Sequence, residues 1–273
     1  MNIAYLGPEF SFSHQATKLI KSNSNIIALN TVSEVVDRVA NAKNDLGVIP
    51  FWNPYQAHIR ESQKKLLKSH VIINKVIRVN PKMCLGIKNK NDLNNLKYIY
   101  SNKHVFKQCS VYLKKHYPNI GFKEVNSTSK SVEVVKNKRY AAAIASIDAI
   151  VSNGLICIEK NIQNKGNYTL FAVIEKNGDT LKNKKGNYTL FLIKLNDMDD
   201  KSKITNIFQD HSLDSSLKWI FPLKDKSGQL WEFLEIYGSP YDLDVSAFKN
   251  ELNQNFKGVK IIGCYNESIR SFC

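Results

Sequence analysis

The residues best placed to do chemistry are hydroxyls and amides where a loop meets a regular element. Thr169 comes directly after the polar segment 161–167, inside the β-rich run Tyr168-Thr169-Leu170-Phe171-Ala172-Val173-Ile174. Open α/β sheets put their sites at such strand-to-loop junctions. Ser11 and Ser13 stand at the start of a helix that continues through His14-Gln15-Ala16, and Asn126-Ser127-Thr128-Ser129 stand before another. Hydroxyls there cap free backbone N–H groups, and the same N–H groups can hold an anion. His58 and Tyr55 are the proton-donor candidates, because histidine titrates near neutral pH and can give a proton to a developing carbanion. Arg60 and His58 are further partners for an anion. Taken singly, each of these also serves as a cap or a solvated surface group.

The stretch Arg139 to Ile174 organises the elements that hold these groups. Ala141-Ala142-Ala143-Ile144-Ala145-Ser146 is small and apolar throughout, short enough for a strand buried on both faces. A helical spacing from Ile147 to Val151 is closed at Asn153-Gly154 in the left-handed conformation, and Leu155 to Ile158 forms a second buried run. Upstream, Asn2 to Leu6 is a strand ending at Gly7-Pro8. Val32 to Ala42 is a helix with Val32, Val35, Val36, Val39 and Ala40 on one face and Thr31 or Ser33 as its cap. Asp45 to Pro50 is a short buried strand, and Lys75 to Ile87 a crossover strand around Pro81. Lys97 to Ser101 is the next strand, Val105 to His116 a helix with an exposed His104 near its start, Phe122 to Val125 a strand and Ser131 to Val135 a helix. Strands and helices alternating at this spacing give two α/β lobes with a cleft between them. A lysine-, asparagine- and glycine-rich linker covers Glu175 to Lys185. The heptapeptide Lys-Gly-Asn-Tyr-Thr-Leu-Phe occurs at Lys165 to Phe171 and again at Lys185 to Phe191, each copy a strand entering a different unit.

The chain has 273 residues, 43% of them hydrophobic, enough for two or three compact units. Its start, MNIAYLGPEF, has no basic leader or apolar h-region, and no apolar run nears the ~20 residues that cross a bilayer. A cytoplasmic protein without membrane contact is expected. Five cysteines, Cys84, Cys109, Cys157, Cys264 and Cys273, are odd in number and not closely paired, so free thiols are expected and neither a disulfide framework nor a metal site. The net charge is +15, but the lysines form no stripe and no aromatic-basic motif accompanies them. That excludes nucleic acid as the expected partner and leaves a solvated surface, or a field that attracts a small anion.

Several of these stretches resemble the prephenate dehydratase family. Ala142 to Ser146, Gly154-Leu155 and Asn161-Ile162-Gln163 match its alanine-alanine-isoleucine-alanine-serine, glycine-leucine and asparagine-isoleucine-glutamine motifs. Thr169-Leu170-Phe171 stands where the family has threonine-arginine-phenylalanine. The opening GPEFSFSHQA resembles glycine-proline-x-glycine-threonine-phenylalanine-serine, with Ser13 matching and Phe10-Ser11 in place of glycine-threonine, a change expected to narrow the space there. Pro50-Phe51-Trp52-Asn53-Pro54 stands where the family has proline-x-glutamate-asparagine-serine, so Asn53 survives and the glutamate has become Trp52. Gln108-Cys109 matches a glutamine-cysteine pair. The resemblance implies a substrate cleft lined by Ser11, Ser13, Asn53, Gln56, Arg60, Ser127, Thr128, Ser129, Ser146, Leu170 and Phe171, with Thr169, His58 and Tyr55 as catalytic candidates.

Asn53-x-Tyr55-Gln56 before a histidine, threonine-leucine-phenylalanine, and Asn126 to Ser129 are each similar to the non-aromatising prephenate decarboxylases of the bacilysin pathway. On that likeness the expected activity is a lyase that decarboxylates prephenate to a dihydro-hydroxyphenylpyruvate for a specialised or antibiotic pathway, with no cofactor. The reason is chemical: Leu170 would take a cation and a planar fork of donors out of the cleft. The alternatives are a phenylpyruvate-forming dehydratase and an inactive relative that only binds. The implied fold is α/β: a two-lobed, periplasmic-binding-protein-like domain over 1–180, with lobe one 1–76 and 157–180 and lobe two 77–156, plus an α+β ACT-like domain over 186–273. The latter resembles the family's regulatory domain through Trp231 to Gly238 and Val259 to Tyr265, with an abbreviated first half. It is expected to support a homodimer. Trp219-Ile220-Phe221-Pro222 replaces the family's glutamate-serine-arginine-proline motif, so no response to phenylalanine is expected.

Overall fold

The computed structural model describes residues 1–20, 24–42, 44–55, 57–58, 60–177, 186–211, 213, 218–225 and 227–266; the side chains of residues 57, 58, 60 and 218–222 lie outside that description. Five strands and three helices come first: β1 (Asn2–Leu6), α1 (Phe12–Lys18), β2 (Asn25–Leu29), α2 (Val32–Asn41), β3 (Leu46–Asn53), β4 (Ala57–His58), α3 (Arg60–Leu67) and β5 (Val71–Val79). The α2 stripe Val32, Val35, Val36 and Val39 is buried as its spacing requires, and Thr31 caps it by accepting from the Glu34 amide at 3.1 Å. This helix lies so close to β3 that a Cβ on Gly47 would stand 2.9 Å from the Val39 side chain.

The chain then crosses at 80–83 into a second sheet. Its elements are β6 (Cys84–Ile87), β7 (Tyr98–Ser101), α4 (Lys103–Gln108), α5 (Ser110–His116), β8 (Gly121–Glu124), α6 (Thr128–Lys136), β9 (Ala141–Ala145), α7 (Ile147–Ser152) and β10 (Ile156–Glu159). All five residues of β9 are buried, as a strand covered on both faces requires, and Gly154 ends α7 at φ +73°. Cys109 divides the helix expected over Val105 to His116 into α4 and α5. The chain returns with β11 (Thr169–Lys176) and continues as β12 (Tyr188–Leu195), α8 (Asp200–Asp210), β13 (Lys218–Lys224), β14 (Leu230–Tyr237), α9 (Leu243–Asn255) and β15 (Val259–Tyr265).

Two sheets result, ordered β13-β14-β12-β15-β5-β11-β3-β1-β2, with β4 on β3, and β10-β6-β9-β7-β8. The expected lobes need one correction. Residues 156–159 pair antiparallel with β6 in the five-stranded sheet, so the chain rejoins the large sheet at Thr169, between β3 and β5, and not at 157. The C-terminal part is not abbreviated in its first half, which holds β12, α8 and β13. Its sheet continues the N-terminal one through a single parallel pair, Gly263 opposite Ile73, where a Cβ on Gly263 would meet the Ile73 side chain at 3.1 Å. One core runs across that seam, from Val35 and Ile49 to Leu192, Phe233 and Tyr265. Cys84, Cys109 and Cys264 are buried free thiols, Cys157 is half-buried, and Cys273 lies outside the described residues. No helix among the described residues is long and apolar enough to cross a membrane.

Candidate active site

The connections at 80–83 and 160–168 bring the mouths of the two sheets together, and a cavity of about 240 Å³ opens there. That is just under the range of drug-sized pockets, a fit for a metabolite of one small ring. From the large sheet come Ser11, Ser13, Pro50, Asn53, Thr169 and Phe171; from the five-stranded side come Met83, Asn102, His104, Gln108 and the run Asn126 to Ser129.

A β-bulge aims the floor of this cavity. Phe171 stands opposite Pro50 and Leu170 opposite Trp52, so β3 carries one extra residue, Phe51, between the two pairs. The bulge puts Asn53 on the cavity face beside Thr169. The Asn53 amide donates to the Tyr168 carbonyl at 2.6 Å, to Thr169 Oγ1 at 3.1 Å and to Asn167 Oδ1 at 3.3 Å, while its oxygen accepts from the Tyr55 amide at 2.9 Å. Gln108 joins from α4, donating to Asn53 Oδ1 at 3.4 Å and accepting from Asn167 at 3.4 Å. Buried amides bonded to one another fix each rotamer, so the network ties the two halves at the cavity floor. Thr169 Oγ1 accepts from Asn53, which leaves its own proton free for a molecule in the cavity.

Among the described residues the walls supply hydroxyl and amide groups and no Asp, Glu, Lys or Arg. The Ser11 hydroxyl caps α1 at 3.2 Å from the His14 amide, and Ser127 caps α6 at 3.1 Å from the Lys130 amide. The first amides of the nine-residue α6 have no partner within the helix and carry the positive end of its dipole. His104, half-buried in the first turn of α4, has its pKa lowered by burial first and by Lys107 and Lys103 next, against Glu124.

Of the residues expected in the cleft, the structure gathers Ser11, Ser13, Asn53, Ser127, Thr128, Ser129, Thr169 and Phe171. Six others stand elsewhere or are not described. Ser146 caps α7 and donates to the Phe10 carbonyl at 2.8 Å, a structural post outside the lining. The Tyr55 hydroxyl donates to the Lys165 carbonyl at 3.3 Å, also outside the lining. Leu170 is 0% exposed and belongs to the core on the opposite face of β11. Gln56 and the side chains of His58 and Arg60 lie outside the described residues. Phe10, expected to narrow the cavity, adopts φ +65° and turns its ring away, edge-on to His14 and against the core beneath β9.

The positions where the resemblance puts an arginine and a glutamate are Leu170 and Trp52, and they are direct cross-strand partners. Trp52 stacks on Tyr168 at 5.3 Å and packs against the core that holds Leu170. In this chain the two positions make an apolar cross-strand contact behind the cavity wall. Sequence reasoning missed Asn102, His104 and Asn167, and gave Gln108 no role. His104 was expected to be exposed, yet it walls the cavity.

The family model for prephenate dehydratase matches residues 3–179. A bifunctional chorismate mutase/prephenate dehydratase of Aquifex aeolicus (strain VF5) is 27% identical over 272 residues, 98% of this chain and 74% of that one. A prephenate dehydratase of Lactococcus lactis subsp. lactis (strain IL1403) is 25% identical over 275 residues, 97% of each chain. Among solved structures, a prephenate dehydratase from Arthrobacter aurescens in complex with L-Phe superposes with a TM-score of 0.83 at 18% identity, covering 98% of this chain and 90% of that one. At that identity the likeness carries the fold, a mixed α/β architecture. The expected non-aromatising decarboxylase is overturned: the relatives carry the dehydratase name, and Leu170, on which that reading turned, faces the core. With its model matched from residue 3 to residue 179, the chain belongs to the prephenate dehydratase family.

Proposed function

We propose that the protein is a prephenate dehydratase, a lyase that converts prephenate to phenylpyruvate, water and carbon dioxide. The observation that carries this reading is Thr169: a hydroxyl at the cavity edge, locked by Asn53 with its proton free, in a chain of this family. Loss of the ring carboxylate as carbon dioxide sends an electron pair into the diene, and expulsion of the C4 oxygen completes the aromatic ring. A donor fixed beside that oxygen stabilises the charge that develops on it. The free amides opening α6, with Ser129 beside them, suit a substrate carboxylate, and the net charge of +15 draws a dianion in. Incubating the purified protein with prephenate tests the reading through the alkaline absorbance of phenylpyruvate. Loss of prephenate without an aromatic product would overturn it.

We also propose that residues 186–273 form an ACT-like unit that supports a homodimer and does not answer to phenylalanine. The support is the replacement of the family's glutamate-serine-arginine by Trp219-Ile220-Phe221, none of which can pair an amino acid's charges. Calorimetric titration with phenylalanine should give no saturable heat; micromolar binding with inhibition would contradict this.

A further inference from the structure

The proposed reaction consumes a proton. The bond to the ring carboxylate breaks, its electron pair enters the diene, the C4–O bond breaks, and the departing hydroxide takes a proton to leave as water. Thr169 can steady that oxygen, but an aliphatic hydroxyl does not release a proton to solvent near neutral pH. Among the described residues that wall the cavity there is no Asp, Glu, Lys, Arg, Cys or Tyr, and His104 is the one side chain that titrates in that range.

Its setting suits a proton carrier. The backbone of His104 is held by the Asn102 side chain at 2.9 Å, while its ring nitrogens make no hydrogen bond among the described residues and Nδ1 is buried without a partner. A structural histidine is normally fixed through one nitrogen. The residue also walls a second cavity of about 300 Å³, shared with exposed Lys103, Glu124 and Asn126. The imidazole therefore stands between the site and a solvent-facing recess.

We propose that His104 is the general acid of this site, taking a proton from the recess at Glu124 and delivering it to the oxygen that leaves beside Thr169. The proposal rests on the dehydratase reading. The charged groups around His104 are Lys103 and Lys107 on its own helix and Glu124 on β8, while α6 and β11 present only neutral side chains to the cavity. Burial and the two lysines lower its pKa, so the acid form becomes scarce as pH rises, and kcat/KM should fall through a pKa below the ordinary histidine range.

The test is phenylpyruvate formation by wild type, His104→Gln and His104→Ala from about pH 5 to about pH 8. Both variants should lose about 10²-fold or more in kcat with KM nearly unchanged, and with them the pH limb, and added imidazole should restore part of the His104→Ala rate. His104→Gln keeps the size and polarity of the site, so a loss there is not one of folding. Wild-type turnover with unchanged kcat and the same limb in His104→Ala would overturn the assignment alone. No turnover by wild type would remove the dehydratase reading and the assignment with it.

Discussion

The heptapeptide at 165–171 and its repeat at 185–191, described from Gly186 onward, put one sequence into two environments. The alternation of a strand fixes what they share: Leu170 and Leu190 are both fully buried in the same core, with Tyr168 and Tyr188 against it. The neighbours decide the rest. Gly166 adopts φ +74° with open space around it, whereas Gly186 is needed for close approach, since a Cβ there would stand 2.7 Å from the Tyr265 amide. Asn167 is buried in the cavity floor, and Asn187 is exposed. Thr169 is half-buried and accepts from Asn53, its proton free; Thr189 is 0% exposed and donates to the Gly238 carbonyl at 2.6 Å. The two hydroxyls differ because the strand beside Thr169 offers it a donor, whereas Thr189 finds an acceptor.

The largest effect is expected from placing a charge at each of the two leucines. Leu170→Arg is expected to destabilise by about 4 kcal/mol or more, because Trp52 opposite it cannot pair a buried cation. Adding Trp52→Glu should recover about 1–3 kcal/mol of that in a double-mutant cycle read by urea denaturation. Leu190→Arg should cost less than Leu170→Arg, since Glu235 already stands directly opposite Leu190. Equal costs would show that the two leucines do not face the partners described.

Asn53→Ala comes next. It removes the donor to the Tyr168 carbonyl and Thr169 and the acceptor for Gln108, for an expected loss of about 2–3 kcal/mol in stability together with a fall in turnover. An unchanged thermal midpoint would mean the network does not hold the halves together. The smallest effect belongs to the second copy: Thr189→Val should cost about 1–2 kcal/mol by denaturant titration, the cost of a buried carbonyl left without its hydroxyl.

Much of this was legible in the sequence. The all-apolar run at Ala141, the valine stripe of α2 and the glycine stop at Gly154 each carry their physical reason on the surface of the sequence, and each element forms where expected. Thr169, Ser13, Asn53 and the Ser127 to Ser129 turn were legible as polar groups at element ends. Trp52 and Leu170 were not, because period-two alternation cannot reveal the extra residue at Phe51 that re-aims β3. His104 was not legible either. One turn of a short helix gives no hint of which side meets a cavity whose far wall, Thr169, lies 65 positions later in the chain.

Turnover of prephenate by Thr169→Val set beside Thr189→Val, with phenylpyruvate followed directly, tests most closely the claim that one copy acts on substrate and the other holds the fold. Thr169→Val should lose at least about 10²-fold in kcat while unfolding near the wild-type midpoint, and Thr189→Val should keep the wild-type kcat while unfolding earlier. Full turnover by Thr169→Val, or equal losses in the two variants, would show that the hydroxyl at the cavity edge is not what separates them.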